Sequence, residues 1–299
     1  MMIVSQYIFA AFMHLTVFLV PGYARSASTL GADAAIPCGC STLAELLPSK
    51  VFSPGDTVYD YEVSNFWSNT EILSPACIVR PTSTDDVSTV IKTSRSTGTK
   101  FAVRAGGHMS VPGANSVDDG ILMVMSNLTD ISIAPDRASV DVGPGLTWSS
   151  VYTYLIGFER TAVGGRISPI GVPGLTLGGG INFHGNQYGW AADNVLEYEV
   201  VLANGELAIA NETSNTDLFW ALKGGGSNFG IVTNFKLRTV PSSKVLAGIY
   251  TINGTEMEPL MSVSGPCHGK MLVQALMSTG CGQLHSIQYR CTLAYPSTS

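Results

Sequence analysis

Short apolar runs separated by glycine-rich or polar turns recur along most of the chain. The runs at residues 77–80, 101–104 and 121–125 are too short for ordinary helices and predict strands, the last of them buried. Residues 83–98 have apolar side chains at helical spacing, polar capping residues at the start and Gly98 at the end. This pattern predicts a helix between the first two strands.

The second half of the chain predicts hairpins and short helices. Asn204-Gly205 lies between two apolar runs, which is a strong hairpin signal, and Pro135-Asp136-Arg137 joins two further runs. The predicted strands are at 131–133, 139–142, 195–201, 207–210 and 231–239, and the predicted helices are around 148–156 and 217–222.

Glycine is abundant and is concentrated in loops that follow predicted strands. The chain has 32 glycines, and the densest stretch, residues 164–189, contains too many for a packed helix. Backbone N–H groups that converge on a pyrophosphate need glycine, because a Cβ atom would block the approach. A tight turn explains any single loop equally well. Several such loops together favour a bulky phosphorylated cofactor. They lie at 105–107, 143–145, 164–180 and 224–226.

Two familiar nucleotide signatures are absent from the sequence. It has no G-x-x-x-x-G-K-[ST] motif, and no G-x-G-x-x-G motif opens an early βαβ unit. A conventional nicotinamide dehydrogenase is therefore the weaker interpretation.

The composition narrows the class of protein and its partners. An apolar fraction of 45% provides a sizeable core and argues against a disordered chain. The formal net charge is −6 and only 13% of residues are charged. Nucleic acid and acidic membrane surfaces are therefore not expected partners. No pattern in the chain assigns an oligomeric state.

The N-terminus predicts entry into the secretory pathway. An apolar stretch at 8–20 is short for a membrane span, and small residues suited to cleavage follow it. We interpret residues 1–27 as a signal peptide, after which no membrane attachment is expected. The n-region has no Lys or Arg, so a signal anchor is the alternative. Three N-glycosylation acceptor patterns favour secretion and begin at Asn127, Asn211 and Asn253.

The cysteines agree with an oxidising compartment. One disulfide is expected between Cys77 and the mature N-terminus, with either Cys38 or Cys40 as the partner. A zinc site is the rival interpretation, but this arrangement has too few ligands for one. We therefore expect no metal.

Five ordered motifs resemble the vanillyl-alcohol-oxidase type of FAD-linked oxidase. Within this type, the motifs resemble those of the berberine-bridge-enzyme-like and fungal FAD-linked oxidoreductases. The resemblance covers about residues 38–255. The motifs are 75–81 (PACIVRP), 104–108 (RAGGH), 178–180 (GGG), 188–195 (YGWAADNV) and 224–233 (GGGSNFGIVT).

The resemblance implies an α+β fold, a PCMH-type FAD-binding domain of two α/β subdomains with the substrate domain largely missing. The implied boundaries are a signal peptide at 1–27, an N-terminal segment at 28–71 and the FAD-binding domain at 72–242. Residues 243–299 would begin a truncated or divergent substrate domain. Residues 257–299 show neither clean alternation nor helical spacing.

The resemblance also implies covalent FAD on His108, through a ring nitrogen that adds to the 8α position of the flavin. Some family members attach the flavin to a cysteine as well, but residues 165–172 contain none, so we predict attachment through His108 only. His184 is a second candidate neighbour of the flavin, with a solvated histidine as the alternative. Asp193 and Asn194 have an equal alternative role as turn formers. The other implied cofactor-binding residues are Arg104, Ala105, Gly106, Gly107, Met109, Ser110, Gly164, Gly165, Ser168, Ile170, Gly171, Gly174, Asp193, Asn194, Val195, Gly230 and Val232.

The function implied by the resemblance is oxidation of a small organic substrate. Hydride would pass from an alcohol, amine, sugar or secondary metabolite to the flavin, and O2 would reoxidise it. No catalytic base is assigned, because the family takes it from the region missing here. A non-catalytic flavin-binding remnant and a secreted ligand-binding glycoprotein are the alternatives.

Overall fold

The computed structural model describes residues 38–242 and the backbone of three later strands, at 246–252, 271–277 and 287–293. The predicted signal peptide and the Asn253 acceptor lie outside these residues. In the described part of the chain, no helix has the length and apolar character needed to cross a bilayer.

Seven helices lie in the described part of the chain, together with short 3-10 turns at Asn69–Glu71, Met125–Asn127 and Ala192–Asn194. The helices are α1 (Cys38–Leu46), α2 (Thr57–Ser64), α3 (Thr84–Thr97), α4 (Trp148–Ile156), α5 (Val172–Leu177), α6 (Gly185–Tyr188) and α7 (Thr216–Leu222).

Thirteen strands are present in the same described residues. They are β1 (Val51–Phe52), β2 (Cys77–Val79), β3 (Phe101–Arg104), β4 (Ile121–Val124), β5 (Ile131–Ile133), β6 (Ser139–Val142), β7 (Arg160–Ala162), β8 (Val195–Val201), β9 (Leu207–Asn211), β10 (Ile231–Pro241), β11 (Leu246–Ile252), β12 (Met271–Met277) and β13 (Ile287–Leu293).

The first sheet has the order β1-β2-β4-β3, with β2, β4 and β3 parallel. Helix α3 connects β2 to β3, as a parallel pair requires. The Ser83 side chain accepts a hydrogen bond from the Asp86 backbone and begins the helix, and Gly98 ends it in the left-handed region. Strand β4 is buried along its whole length.

The second sheet has the order β5-β6-β10-β8-β9, and β7 pairs with the end of β10. All its pairings are antiparallel. Its core includes the fully buried rings of Trp148, Tyr198 and Phe235. Tyr198 contacts Phe219 and Phe235 edge to face and packs in this core.

Hydrogen bonds tie the two sheets together. A single carboxylate oxygen of Glu199, on β8, accepts from Thr84 at the start of α3 and from Thr233 on β10. These contacts fix the first sheet and its helix against the second sheet. The loop at the end of β3 contacts the segment before α5 through Gly106 and Gly171.

The disulfide joins Cys40 to Cys77, and Cys38 is free and exposed. Cys40 and Leu43 lie on the buried face of α1, and the buried Leu47 directly follows the last residue of the helix, at the three- and four-residue spacing of a helix. Cys38 lies two positions before Cys40 and therefore points away from that face. The orientation of α1 therefore explains why Cys40, and not Cys38, pairs with Cys77.

The C-terminal region contains structure that the sequence pattern did not predict. Strands β11, β13 and β12 form a three-stranded antiparallel sheet. Two of them lie within residues 257–299, where we expected no regular element. The run Met271–Met277 is apolar at every position except Gln274, and a continuous apolar run fits a buried strand or a buried helix segment equally well.

Candidate functional site

A cavity of about 1240 Å³ lies where the two sheets meet. Single small-molecule sites usually have about 300–1,000 Å³, so this space suits a ligand of dinucleotide size. Its walls come from the loop after β3, the segment before and within α5, the glycine loop 178–180 and the start of β10. These are glycine-rich segments that the sequence singled out.

Two of the loops touch through their glycines. A Cβ atom on Gly106 would lie 2.6 Å from the backbone nitrogen of Gly171, and one on Gly171 would lie 2.7 Å from that of Gly106. Because neither distance is tolerated by a real side chain, only glycine allows this approach. The contact closes one wall of the cavity with bare backbone.

His108 ends the first of these loops and lines the cavity. Its imidazole stacks on the indole of Trp67, with 4.5 Å between ring centroids and 19° between the planes. The backbone N–H of Trp67 donates to the carbonyl of Gly107 at 3.1 Å. Gly107 has φ +60°, a conformation that favours glycine. The contact with Trp67 and the conformation of Gly107 together fix the position of His108 in the loop.

Arg104 anchors the same loop through contacts on the side that faces away from the cavity. Its guanidinium is buried, pairs with the carboxylate of Glu62 and donates to the Glu62 carbonyl oxygen. It also lies 4.8 Å from the centre of the Phe66 ring. Arg80 reaches the other oxygen of Glu62 at 3.4 Å. The charge of Arg104 is therefore directed at the protein interior and not at the cavity.

The charged side chains that line the cavity are positive, whereas the whole chain has a negative net charge. Among the described residues that line it, none is Asp or Glu, whereas Arg95 and Arg166 both contribute. This holds in a chain of net charge −6. Carboxylates would repel an anionic ligand and guanidinium groups would attract one. The wall therefore fits the pyrophosphate of a dinucleotide such as FAD.

A smaller cavity of about 310 Å³ lies beside Gly164 and Gly165, and His184 and Tyr152 line it. Burial lowers the pKa of His184 and raises that of Tyr152. The Tyr152 hydroxyl donates to the carbonyl of Gly165 at 2.8 Å. His184 is half-buried and not simply solvated.

The structure brings many of the predicted cofactor-binding residues to the large cavity. Those that line it are Ala105, Gly106, Gly107, His108, Met109, Ile170, Gly171, Gly174, Gly230 and Val232. Gly164, Gly165 and Ser168 line the smaller cavity instead. Outside both walls lie Arg104, Ser110, Asp193, Asn194 and Val195.

Asp193 and Asn194 act as turn formers in the structure. The Asp193 carboxylate accepts from the Trp190 backbone at 2.8 Å. The buried Asn194 side chain donates to the carbonyls of Tyr188 and Trp190. Both side chains therefore shape the loop that follows α6.

Several residues of the site escaped the sequence analysis. Trp67 and Glu62 belong to the N-terminal segment, to which the motifs assigned no role. Arg95 and Asn115 line the cavity from the end of α3 and from the loop before β4. The absence of acidic residues along the cavity-lining segments is the signal that sequence reading could have used.

Residues 75–211 match the family model described as the FAD binding domain. The FAD-dependent monooxygenase prx3 of Penicillium roqueforti is 38% identical over 251 residues, which cover 84% of this chain and 48% of that protein. The solved structure of 6-hydroxy-D-nicotine oxidase from Arthrobacter nicotinovorans matches with a TM-score of 0.75 and 26% identity, over 82% of this chain and 55% of its own. The chain therefore contains an FAD-binding domain, and it is similar in sequence and fold to FAD-linked oxidases of the vanillyl-alcohol-oxidase type.

The xylooligosaccharide oxidase of Myceliophthora thermophila C1 has the same fold as this chain, with a TM-score of 0.73 and 24% identity. The match covers 87% of this chain and 56% of that one. The expected α+β fold with a PCMH-type FAD-binding domain is confirmed. The chain spans about half the length of the curated relatives it matches.

Proposed function

We propose that this chain is an FAD-dependent oxidoreductase whose FAD is bonded covalently to His108. The observation that carries the proposal is the large cavity between the two sheets. Its wall of glycine backbone contains two arginines and, among the described residues, no carboxylate. Such a wall accepts an anionic dinucleotide.

The residues present define how the cofactor would be held. Gly106 and Gly107 place backbone without side chains in the cavity wall, next to the imidazole of His108. On the opposite wall, Gly174 has open space where a Cβ would project. When bound, FAD supplies the two-electron redox chemistry, and the protein supplies its placement and electrostatics.

Attachment at His108 is a balanced oxidation. With FAD bound, a ring nitrogen of His108 would bond to the 8α carbon of the flavin, and each of these two atoms would lose one hydrogen. O2 would take up the two electrons and two protons as H2O2. Residues 165–172 contain no cysteine, so a second attachment point in that segment has no nucleophile of the usual kind.

We further propose that the substrate is a small organic molecule oxidised by hydride transfer, with O2 as the final acceptor. Similar proteins support this class: one is a monooxygenase, and two are oxidases of a nicotine derivative and of a xylooligosaccharide. Exposed apolar side chains at the rim of the cavity, Ile181, Trp190 and Phe229, favour a substrate with an apolar face.

Absorbance and stopped-flow measurements test this proposal. The purified protein should show flavin bands, and anaerobic mixing with a panel of alcohols, amines, sugars and phenolic metabolites should bleach them. Return of the bands in air together with H2O2 supports an oxidase. Incorporation of ¹⁸O from ¹⁸O2 into product would instead favour monooxygenation. A flavin that no substrate class reduces would identify a non-catalytic flavin-binding protein.

Secretion and N-glycosylation are part of the proposal. Asn127 is exposed, and Arg80 contacts only its side-chain oxygen, so its Nδ2 atom has no hydrogen-bond partner among the described residues. The Nδ2 of Asn211 donates to Glu197 at 2.7 Å. We therefore expect a glycan at Asn127 in preference to Asn211. Expression in a eukaryotic host tests whether the protein is secreted. Endoglycosidase digestion of wild type and Asn127→Gln tests whether Asn127 carries a glycan.

A further inference from the structure

The imidazole of His108 is covered on one face by a residue far away in sequence. Trp67 stacks on it at 4.5 Å and nearly parallel, and the indole is not part of the cavity wall. The imidazole itself lines the cavity. The ring therefore has one face against an aromatic surface and stays accessible from the cavity.

The segment that carries Trp67 is held to the histidine loop at neighbouring points. Trp67 donates its backbone N–H to the Gly107 carbonyl, directly before His108. The carbonyl oxygen of Asn65 lies 3.6 Å from where a Cβ of Gly107 would be. Phe66 lies under the guanidinium of Arg104, at the start of the same loop. Trp67 is thus fixed relative to the loop and not only to the ring.

We propose that Trp67 is a positioning residue for attachment of FAD to His108, an inference that rests on the proposed function. Stacking limits rotation of the imidazole and keeps its edge directed at the cavity. As the ring nitrogen forms its new bond to carbon, the imidazole gains positive charge before it loses its proton. The face of an indole attracts such a charge. Trp67 therefore favours attachment through both orientation and electrostatics.

The test measures covalent attachment separately from FAD binding. Apo-protein from riboflavin-limited cells is mixed with saturating FAD, and samples are denatured at intervals. Flavin fluorescence of the protein band in a denaturing gel gives the covalent fraction. Trp67→Ala should slow attachment about two- to tenfold, the range that an aromatic contact contributes. Trp67→Leu, which keeps an apolar cover without an aromatic face, should be similarly slow.

Two variants serve as controls. Trp67→Phe restores an aromatic face and should attach FAD within about twofold of the wild-type rate. Trp220 is 80% exposed on α7, outside both cavities. Trp220→Ala therefore removes an equally large exposed side chain and should leave the rate unchanged.

A second measurement separates positioning from general loss of structure. In the His108→Ala background no attachment at this position is possible, and FAD binds only reversibly. Adding Trp67→Ala there should change the FAD dissociation constant by less than about twofold, because the indole does not line the cavity. The melting temperature of each variant checks the fold.

The outcomes are distinct. Attachment by Trp67→Ala at the wild-type rate overturns this inference and leaves the proposed function intact. Weakened FAD binding in the His108→Ala background, equal to the loss of rate, also overturns it, since Trp67 would then shape the pocket. A wild-type protein without covalent flavin overturns the proposed function and this inference with it.

Discussion

Gly106 and Gly171 touch through their backbones. A Cβ on Gly106 would meet the backbone of Gly171 at 2.6 Å, and the reverse contact would be 2.7 Å. The first glycine follows a strand of the first sheet and the second precedes a helix on the second sheet. This one contact brings the loop of His108 to the opposite wall of the cavity.

Replacing either glycine should therefore separate the loops. We expect Gly106→Ala and Gly171→Ala to lose about 1–3 kcal/mol of unfolding free energy, because backbone atoms must move, and to lose FAD binding. Urea denaturation and flavin titration measure the two effects. Gly157→Ala is the matched control, since its Cβ would meet its nearest atom at 3.6 Å. Unchanged FAD affinity in both loop variants would contradict the arrangement.

The buried pair of Glu62 and Arg104 should be costly to break. Glu62→Ala leaves the buried guanidinium of Arg104 without its carboxylate, and we expect a loss of about 3–5 kcal/mol in unfolding free energy. The more exposed pair of Lys50 and Asp86 is the comparison: Lys50→Ala should lose about 1 kcal/mol or less. Urea denaturation gives both values, and equal losses would argue against a structural role for Glu62.

The disulfide provides a prediction with an internal control. Cys40 and Cys77 are 37 residues apart. The chain-entropy relation gives about 4 kcal/mol of stabilisation for a loop of that length. Cys40→Ser should therefore lower the melting temperature strongly, whereas Cys38→Ser should not. Equal effects of the two substitutions would show that the bond uses either cysteine.

His184 predicts a dependence of stability on pH. Burial lowers its pKa in the folded protein, so the unfolded chain binds a proton first as the pH falls below about 6.5. Proton uptake on unfolding lowers the stability of the folded state in that range. Melting temperatures of wild type and His184→Asn should therefore diverge on acidification from pH 7.5 to 5, to the disadvantage of the wild type. A difference that is independent of pH would contradict this.

The sequence predicted the helix ends and turns that depend on interactions between residues close together in the chain. Ser83 and Gly98 bound helix α3 because a capping side chain and a left-handed glycine act within one turn. Asn204-Gly205 turns between β8 and β9 for the same reason. The glycine loops were recognised because glycine is the residue type that has no Cβ atom, and a close approach of backbone requires it.

Other features depend on contacts that no local pattern encodes. The selection of Cys40 over Cys38 follows from which face of α1 meets the sheet. Trp67 and His108 are 41 positions apart in the sequence. No pattern in the residues next to either one predicts their contact. Strand β12 is apolar at every position except Gln274, and this pattern does not distinguish a buried strand from a helix segment. Packing in three dimensions decides each of these cases.

Peptide mapping of the purified protein shows whether His108 carries the flavin. Protein from flavin-replete cells is denatured in acid, freed of loose cofactor, digested and analysed by mass spectrometry, with His108→Ala as the control. We expect one modified peptide, which contains His108 and is heavier by the mass of FAD less two hydrogens, and which the control lacks. An unmodified His108 peptide in folded protein, or a flavin on another residue, would contradict it.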